Sequence, residues 1–126
     1  MSALLCCIAS IGMHFASVHS KSGLNNFNPG VYVETTDGYT AGTYYNSESR
    51  QSYYLGRTLE APLLYGTSGA VTLGAITGYR GYRVLPLAVP SLKIPLTEGF
   101  GTRFAFIPRV EKKGAAALHL MLEFKV

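Results

Sequence analysis

The C-terminal segment of the chain, residues 116–126, alternates strictly between two kinds of side chain. One set is apolar: Leu118, Leu120, Leu122, Phe124 and Val126. The other is mixed: Ala117, His119, Met121, Glu123 and Lys125. A period of two places the sets on opposite faces of a β-strand. In a membrane barrel the apolar face would contact lipid, and His119 and Glu123 would join a polar interior. In a soluble barrel the same apolar face would point inward, so the direction of these side chains separates the two.

Similar segments recur along the chain, and no stretch shows a sustained helical period. We predict eight strands, at about residues 8–20, 30–35, 39–47, 51–60, 70–79, 84–94, 102–110 and 116–126. Asp37-Gly38 between two of them is a strong hairpin signal. Because no helical segment remains to cover a sheet, short connections between the strands favour closure. The predicted fold class is all-β, with one small eight-stranded antiparallel up-and-down β-barrel as a single domain over residues 1–126.

The composition limits the classes of molecule that this protein is expected to bind. Charged residues make up 14% of the chain, against about 25% in ordinary soluble domains. The net charge is +4 and its lysines and arginines are scattered, which predicts no nucleic-acid interface. A mild attraction to phospholipid or lipopolysaccharide is compatible with this charge. The adjacent Cys6 and Cys7 have neither disulfide nor metal-site spacing, so we expect no metal site. We also expect no cofactor.

The N-terminal apolar run, residues 3–18, has three interpretations. A signal peptide would need a basic start, but no charge precedes Lys21. A transmembrane helix would need about 20 apolar residues, and His14 and several serines interrupt this run. We therefore interpret it as the first strand. A gene start further upstream, with a signal peptide missing from this chain, stays open.

Strand parity predicts a candidate site. In an up-and-down barrel the first and third strands end at the same rim, which would bring His14 and His19 near Asn46 and Ser47. A histidine base, a serine hydroxyl and a polar partner are the groups that acyl transfer needs. The alternative is that these are ordinary polar residues at a barrel rim.

Prolines in two neighbouring strands predict a second feature. Pro86 and Pro90 belong to the sixth strand and Pro108 to the seventh. Because proline lacks the N–H that a ladder needs, prolines on paired strands weaken their seam. Such a seam would offer a lateral opening for a lipid chain. Edge protection or a bulge is the alternative.

Several segments, in this order, resemble the lipid A palmitoyltransferase family of Gram-negative outer membranes. They are IGMH at Ile11–His14, YYNSESRQ at Tyr44–Gln51, LPLAVPSLKI at Leu85–Ile94, FAFIPR at Phe104–Arg109 and LHLMLEFKV at Leu118–Val126. The resemblance implies transfer of a palmitoyl chain from a phospholipid to lipid A, with His14, Asn46 and Ser47 as the site. The family has aspartate where Asn46 stands, and asparagine cannot supply that carboxylate.

Three functions follow as expectations. The first is a bacterial outer-membrane barrel that binds lipid or another hydrophobic ligand without catalysis, which Asn46 favours. The second is an active lipid acyltransferase, with His14 as base and Ser47 as the participating hydroxyl. The third is a soluble cytoplasmic barrel that acts as an interaction module, with a phage as one source of its gene. Whether the chain is an enzyme stays open, and we expect a monomer.

Overall fold

The computed structural model describes residues 7–19, 26–46, 48–79, 81, 83–107 and 117–126. These form a closed barrel of eight antiparallel strands in chain order, which confirms the predicted fold class. The strands are β1 (Ile8–His19), β2 (Phe27–Thr35), β3 (Tyr39–Tyr45), β4 (Gln51–Pro62), β5 (Ser68–Ile76), β6 (Leu85–Pro95), β7 (Phe100–Ile107) and β8 (Ala117–Lys125). None of the described residues belongs to a helix long and apolar enough to cross a membrane.

The strand boundaries differ from the predicted ones where turn chemistry overrides alternation. β2 begins at Phe27 and runs through Pro29, three residues before its predicted start. β3 ends at Tyr45, because the side chain of Asn46 hydrogen-bonds the backbone of the following turn. The predicted ends of the seventh and eighth strands, residues 108–110 and 116, lie outside the described residues.

In the first four strands, a glycine of one strand faces a tyrosine of the next. Three successive ladders place a glycine opposite a tyrosine: Gly12↔Tyr32, Gly30↔Tyr44 and Gly42↔Tyr54. A Cβ atom on Gly12 would lie 2.0 Å from the Tyr32 ring, so the ring occupies the space that a side chain would need. Glycines in strands mark such close approaches. The tyrosine rings therefore pack directly over the backbone of the neighbouring strand.

The outer face of the barrel is apolar and its interior is polar, which is the reverse of the arrangement in a soluble protein. The outer face carries large apolar side chains that are 37–64% exposed: Ile11, Met13, Phe15, Val31, Val33, Tyr53, Leu55, Leu59, Val71, Leu73, Leu92, Phe106, Leu118 and Phe124. Among the described residues, buried polar and charged side chains outnumber buried apolar ones. Strand β8 follows this rule, with Leu118 and Phe124 outside and His119 and Met121 inside. The apolar face of the C-terminal strand thus points outward.

The two ends of the barrel differ in their connections. At the terminal rim β1 begins and β8 ends, and the connections are residues 36–38, 63–67 and 96–99. At the loop rim the connections are residues 20–26, 46–50, 77–84 and 108–116. The connections at the terminal rim are therefore shorter on average than those at the loop rim.

Candidate functional site in the barrel interior

The polar interior contains two clusters of side chains. The histidine cluster, Ser17, His119, His14 and Tyr54, lies toward the loop rim. The charged cluster, Arg103, Lys93, Glu34, Glu60 and Glu123, lies toward the terminal rim. Tyr32 contacts both, because its ring lies 5.1 Å from the His14 ring and its hydroxyl donates a 2.5 Å hydrogen bond to Glu123.

The histidine cluster is a continuous chain of hydrogen bonds. Ser17 Oγ lies 2.6 Å from His119 Nδ1, and His119 Nε2 lies 2.9 Å from His14 Nδ1. His14 Nε2 lies 2.8 Å from the Tyr54 hydroxyl. One choice of tautomers satisfies these three contacts: Ser17 donates to His119, His119 to His14, and His14 to Tyr54. The serine and both imidazoles are buried.

A bulge in β1 turns Ser17 into the interior. On β8, Met121 lies opposite His14 and the next residue, Leu120, lies opposite Ala16. Phe15 is therefore an extra residue without a register partner on β8, and the alternation changes phase there. Ser17 faces inward although it is three residues from the inward-facing His14. Bulges commonly re-aim a side chain in this way.

The charged cluster is organised around Arg103, which is 4% exposed. Its Nη1 atom lies 3.2 Å from Glu34 and 3.1 Å from Glu123. Its remaining nitrogens donate to Ser91 Oγ at 3.0 Å and Thr72 Oγ1 at 3.3 Å. A buried guanidinium needs such pairing, because leaving a buried charge without its partner costs several kcal/mol, roughly 3–5.

Lys93 extends this cluster to the terminal rim. Its Nζ atom lies 3.1 Å from Glu60, 3.3 Å from Glu123 and 3.5 Å from Glu34. Beside it is a cavity of about 310 Å³, whose lining includes Lys125 as well as these four residues. Two lysines and three glutamates therefore line the cavity, beside apolar residues that include Ile94 and Phe100.

Asn46 takes part in the turn between β3 and β4. It is fully buried, and its Oδ1 atom accepts hydrogen bonds from the backbone N–H groups of Glu48 and Arg50, at 2.8 and 3.1 Å. Its Nδ2 atom donates to Ser52 Oγ and to the Gly78 carbonyl, at 2.8 and 2.9 Å. These contacts tie the turn to the next connection at the loop rim.

The other predicted site residues are placed differently. His14 lies within the interior, between Gly30 and Met121 of the flanking strands, and hydrogen-bonds His119 and Tyr54. Ser47 lies outside the described residues. The catalytic roles of His14, Asn46 and Ser47 stay predictions.

The prolines mark the end of a ladder. Pro86 and Pro90 are exposed on the outer face of β6, where they pair with β5. Within the described residues the register between β6 and β7 begins only at Ser91↔Ala105. Pro90 therefore lies where pairing with β7 stops, and Pro108 lies outside the described residues.

Sequence reasoning missed Ser17 and the contact between the two histidines. The predicted strand order did indicate that the two histidines would lie on neighbouring strands. Closure of an up-and-down barrel pairs its first strand, which contains His14, with its last, which contains His119. Their register could not be read from the sequence. Within the described residues no group of three or more histidine, cysteine, aspartate or glutamate side chains is arranged to hold a metal ion.

Comparison with known proteins bears on the fold. The chain is similar to the de novo designed protein TMB2.3, a transmembrane eight-stranded β-barrel whose solution NMR structure is known. The TM-score is 0.65 over 95% of this chain and 96% of that chain, at 11% sequence identity. No protein-family model and no curated protein matches the sequence. At this identity the likeness concerns the fold alone, a small barrel resembling a designed membrane barrel.

Proposed function

We propose that this protein is an integral membrane β-barrel of the bacterial outer-membrane type, with lipid on its outer face and polar side chains filling its interior. The inverted polarity of the two faces carries this proposal. An apolar band with side chains 37–64% exposed surrounds a buried, paired Arg103. Soluble monomers rarely expose apolar patches larger than a few hundred Å², whereas outer-membrane barrels expose such a band to lipid.

The aromatic residues at the strand ends support the same proposal. Tyr39 and Tyr45, at the two ends of β3, are exposed on the outer face. Arg57 lies beside Tyr39, with its Cζ atom 5.6 Å from the ring centroid. Aromatic side chains favour both membrane–water interfaces, so these tyrosines fit the two edges of a lipid-facing band.

The connection lengths give the proposed orientation. Outer-membrane barrels have short periplasmic turns and longer outer loops. The terminal rim, with connections of three to five residues, would face the periplasm. The loop rim, with connections of five to nine residues, would face outward.

A second candidate is the lipid acyltransferase that the sequence resemblance implies, with His14 as base and Ser47 as hydroxyl. One observation favours it: the β6–β7 register stops beside Pro90, where a lipid chain could approach the interior between two strands. Lipid A mass spectra of cells with and without the protein test this function. An added acyl chain would support it, and unchanged spectra with the protein folded in the membrane would reject it.

Tryptophan fluorescence tests the membrane proposal, because the chain has no native tryptophan. Single variants Leu55→Trp and Leu120→Trp place the probe on the outer face of opposite sides of the barrel. Tyr65→Trp is the matched control, since Tyr65 is almost fully exposed between β4 and β5. In vesicles of brominated phospholipid we expect strong quenching of the first two and weak quenching of the third. Equal quenching of all three, or recovery of the protein without detergent, would contradict insertion.

A further inference from the structure

We propose that Ser17 is an activated nucleophile toward carboxylic esters, with His119 as its general base and His14 as the residue that positions His119. This activity goes beyond the membrane barrel proposed above. It rests on the geometry of the interior and does not depend on where the barrel lies.

The three side chains have the geometry of a catalytic triad, which is recognised by distances and roles rather than by chain order. Ser17 Oγ and His119 Nδ1 are 2.6 Å apart, within the range of an activated serine and its base. The third group is His14, whose Nδ1 atom lies 2.9 Å from His119 Nε2. When His14 Nδ1 accepts a hydrogen bond from His119 Nε2–H, His119 keeps Nδ1 free to accept the serine proton. Tyr54 fixes His14 in turn.

Other interior hydroxyl groups show what an ordinary polar contact in this barrel looks like. Thr40, Thr58 and Thr72 form a ladder in which each hydroxyl hydrogen-bonds the next at 2.8 Å. Ser17 differs from them because its partner is an imidazole. It also reaches that partner only through the bulge at Phe15, and bulges are over-represented beside active sites.

The reaction would proceed through an acyl-serine. Ser17 Oγ forms a bond to the ester carbonyl carbon while its proton passes to His119 Nδ1. The carbon–oxygen bond to the alcohol then breaks, and the alcohol leaves with that proton. Water next attacks the acyl-serine and gives a proton to His119. The carboxylic acid departs and Ser17 recovers its proton. Since Ser17 lies two residues from the loop-rim end of β1, a small ester approaching from that rim is the expected substrate.

A fluorophosphonate probe tests the nucleophile in the full-length protein in detergent micelles. Attack by an activated serine forms a P–O bond and releases fluoride as the P–F bond breaks, while His119 takes the serine proton. We expect one label per molecule, on the peptide that contains Ser17, as located by mass spectrometry. Ser17→Ala should abolish this label. Ser10→Ala should keep it, because Ser10 is also buried and faces inward on β1.

Variants of His14 and His119 distinguish a serine activated for reaction from a serine that only takes part in a structural hydrogen-bond network. We expect His119→Ala to slow labelling by about 10²–10⁴-fold, the usual contribution of a general base. His14→Leu should slow it strongly, whereas His14→Gln should restore part of the rate because its amide oxygen can accept from His119. Circular dichroism confirms that each variant keeps its β-structure. An unlabelled Ser17 in the folded wild type, or equal rates in all variants, would overturn the proposal and leave the tryptophan test of insertion unaffected.

Discussion

The histidine cluster and the charged cluster fill the two halves of one interior with different chemistry. In the histidine cluster each contact is a single hydrogen bond between groups that carry no formal charge in the tautomers described. In the charged cluster two cations share three carboxylates. A neutral hydrogen bond contributes about 0.5–1.5 kcal/mol net, whereas a broken buried ion pair costs about 3–5 kcal/mol. Stability should therefore depend mainly on the charged half, and the histidine half is freer to change.

The largest effect is expected from Arg103→Met. This variant leaves the buried Glu34 and the half-buried Glu123 with less compensating charge, so the free energy of unfolding should fall by about 3–5 kcal/mol. Urea unfolding in detergent micelles measures it. Lys93→Met is the matched control, and it should cost less because Lys93 is more exposed than Arg103. Equal losses of unfolding free energy in the two variants would contradict the expectation that the more buried cation contributes more to stability.

Gly12→Ala tests the boundary between the two clusters. Its Cβ atom would lie 2.0 Å from the Tyr32 ring, and Tyr32 contacts both clusters. Overpacking of this kind costs about 1–3 kcal/mol. Gly99→Ala is the control, because no atom lies within 4 Å of its added Cβ. If both variants unfold at the wild-type urea concentration, the close packing of ring on backbone is not present.

Asn46→Asp tests the loop-rim side, and it also introduces the residue of the acyltransferase family. The new carboxylate cannot donate to Ser52 or to the Gly78 carbonyl, so we expect a loss of about 1–3 kcal/mol. Asn26→Asp is an isosteric change at an exposed position that keeps an acceptor oxygen for His19 Nδ1, so it should be close to neutral by the same urea measurement. A stabilised Asn46→Asp variant would contradict the structural role given to this amide.

The smallest effect is expected from the pair of hydroxyl groups of Tyr44 and Tyr79, which are 2.7 Å apart. Tyr44→Phe removes the neutral hydrogen bond to Tyr79 and should cost about 1 kcal/mol. Burial raises the pKa of Tyr79 above its usual value, so the unfolded chain loses this proton first and stability should fall as the pH rises above about 10. Tyr79→Phe should flatten that fall, and Tyr65→Phe, at an exposed position, should not.

The alternating segments were sufficient to predict the eight strands and their antiparallel order, because a period of two is a local property. The depth of His14 was not predictable in the same way. Its position along the barrel axis depends on strand tilt and register, which are set by closure of the whole barrel. Parity alone placed His14 near a rim, whereas the structure pairs it with Gly30 and Met121 within the ladders.

The inward orientation of Ser17 could not be predicted for a different physical reason. Strict alternation from the inward-facing His14 would place Ser17 on the outer face, and only the extra residue at Phe15 reverses it. A bulge has no strong signature in one sequence, since the run from His14 to Ser17 contains neither glycine nor proline. The contacts of Asn46 were equally hidden, because its donors and acceptors come from two different connections.

The glycine–tyrosine pairs make the register of the first four strands specific. If β3 slipped by one residue against β2, Tyr44 would meet Pro29 or Val31 instead of Gly30, and a side chain would occupy the space of the ring. The same slip would turn the apolar residues of β3 toward the polar interior. Because such pairs recur on three consecutive ladders, a wrong alignment at any one of them would conflict with the next. The arrangement thus disfavours a shift of one residue at each of the three ladders.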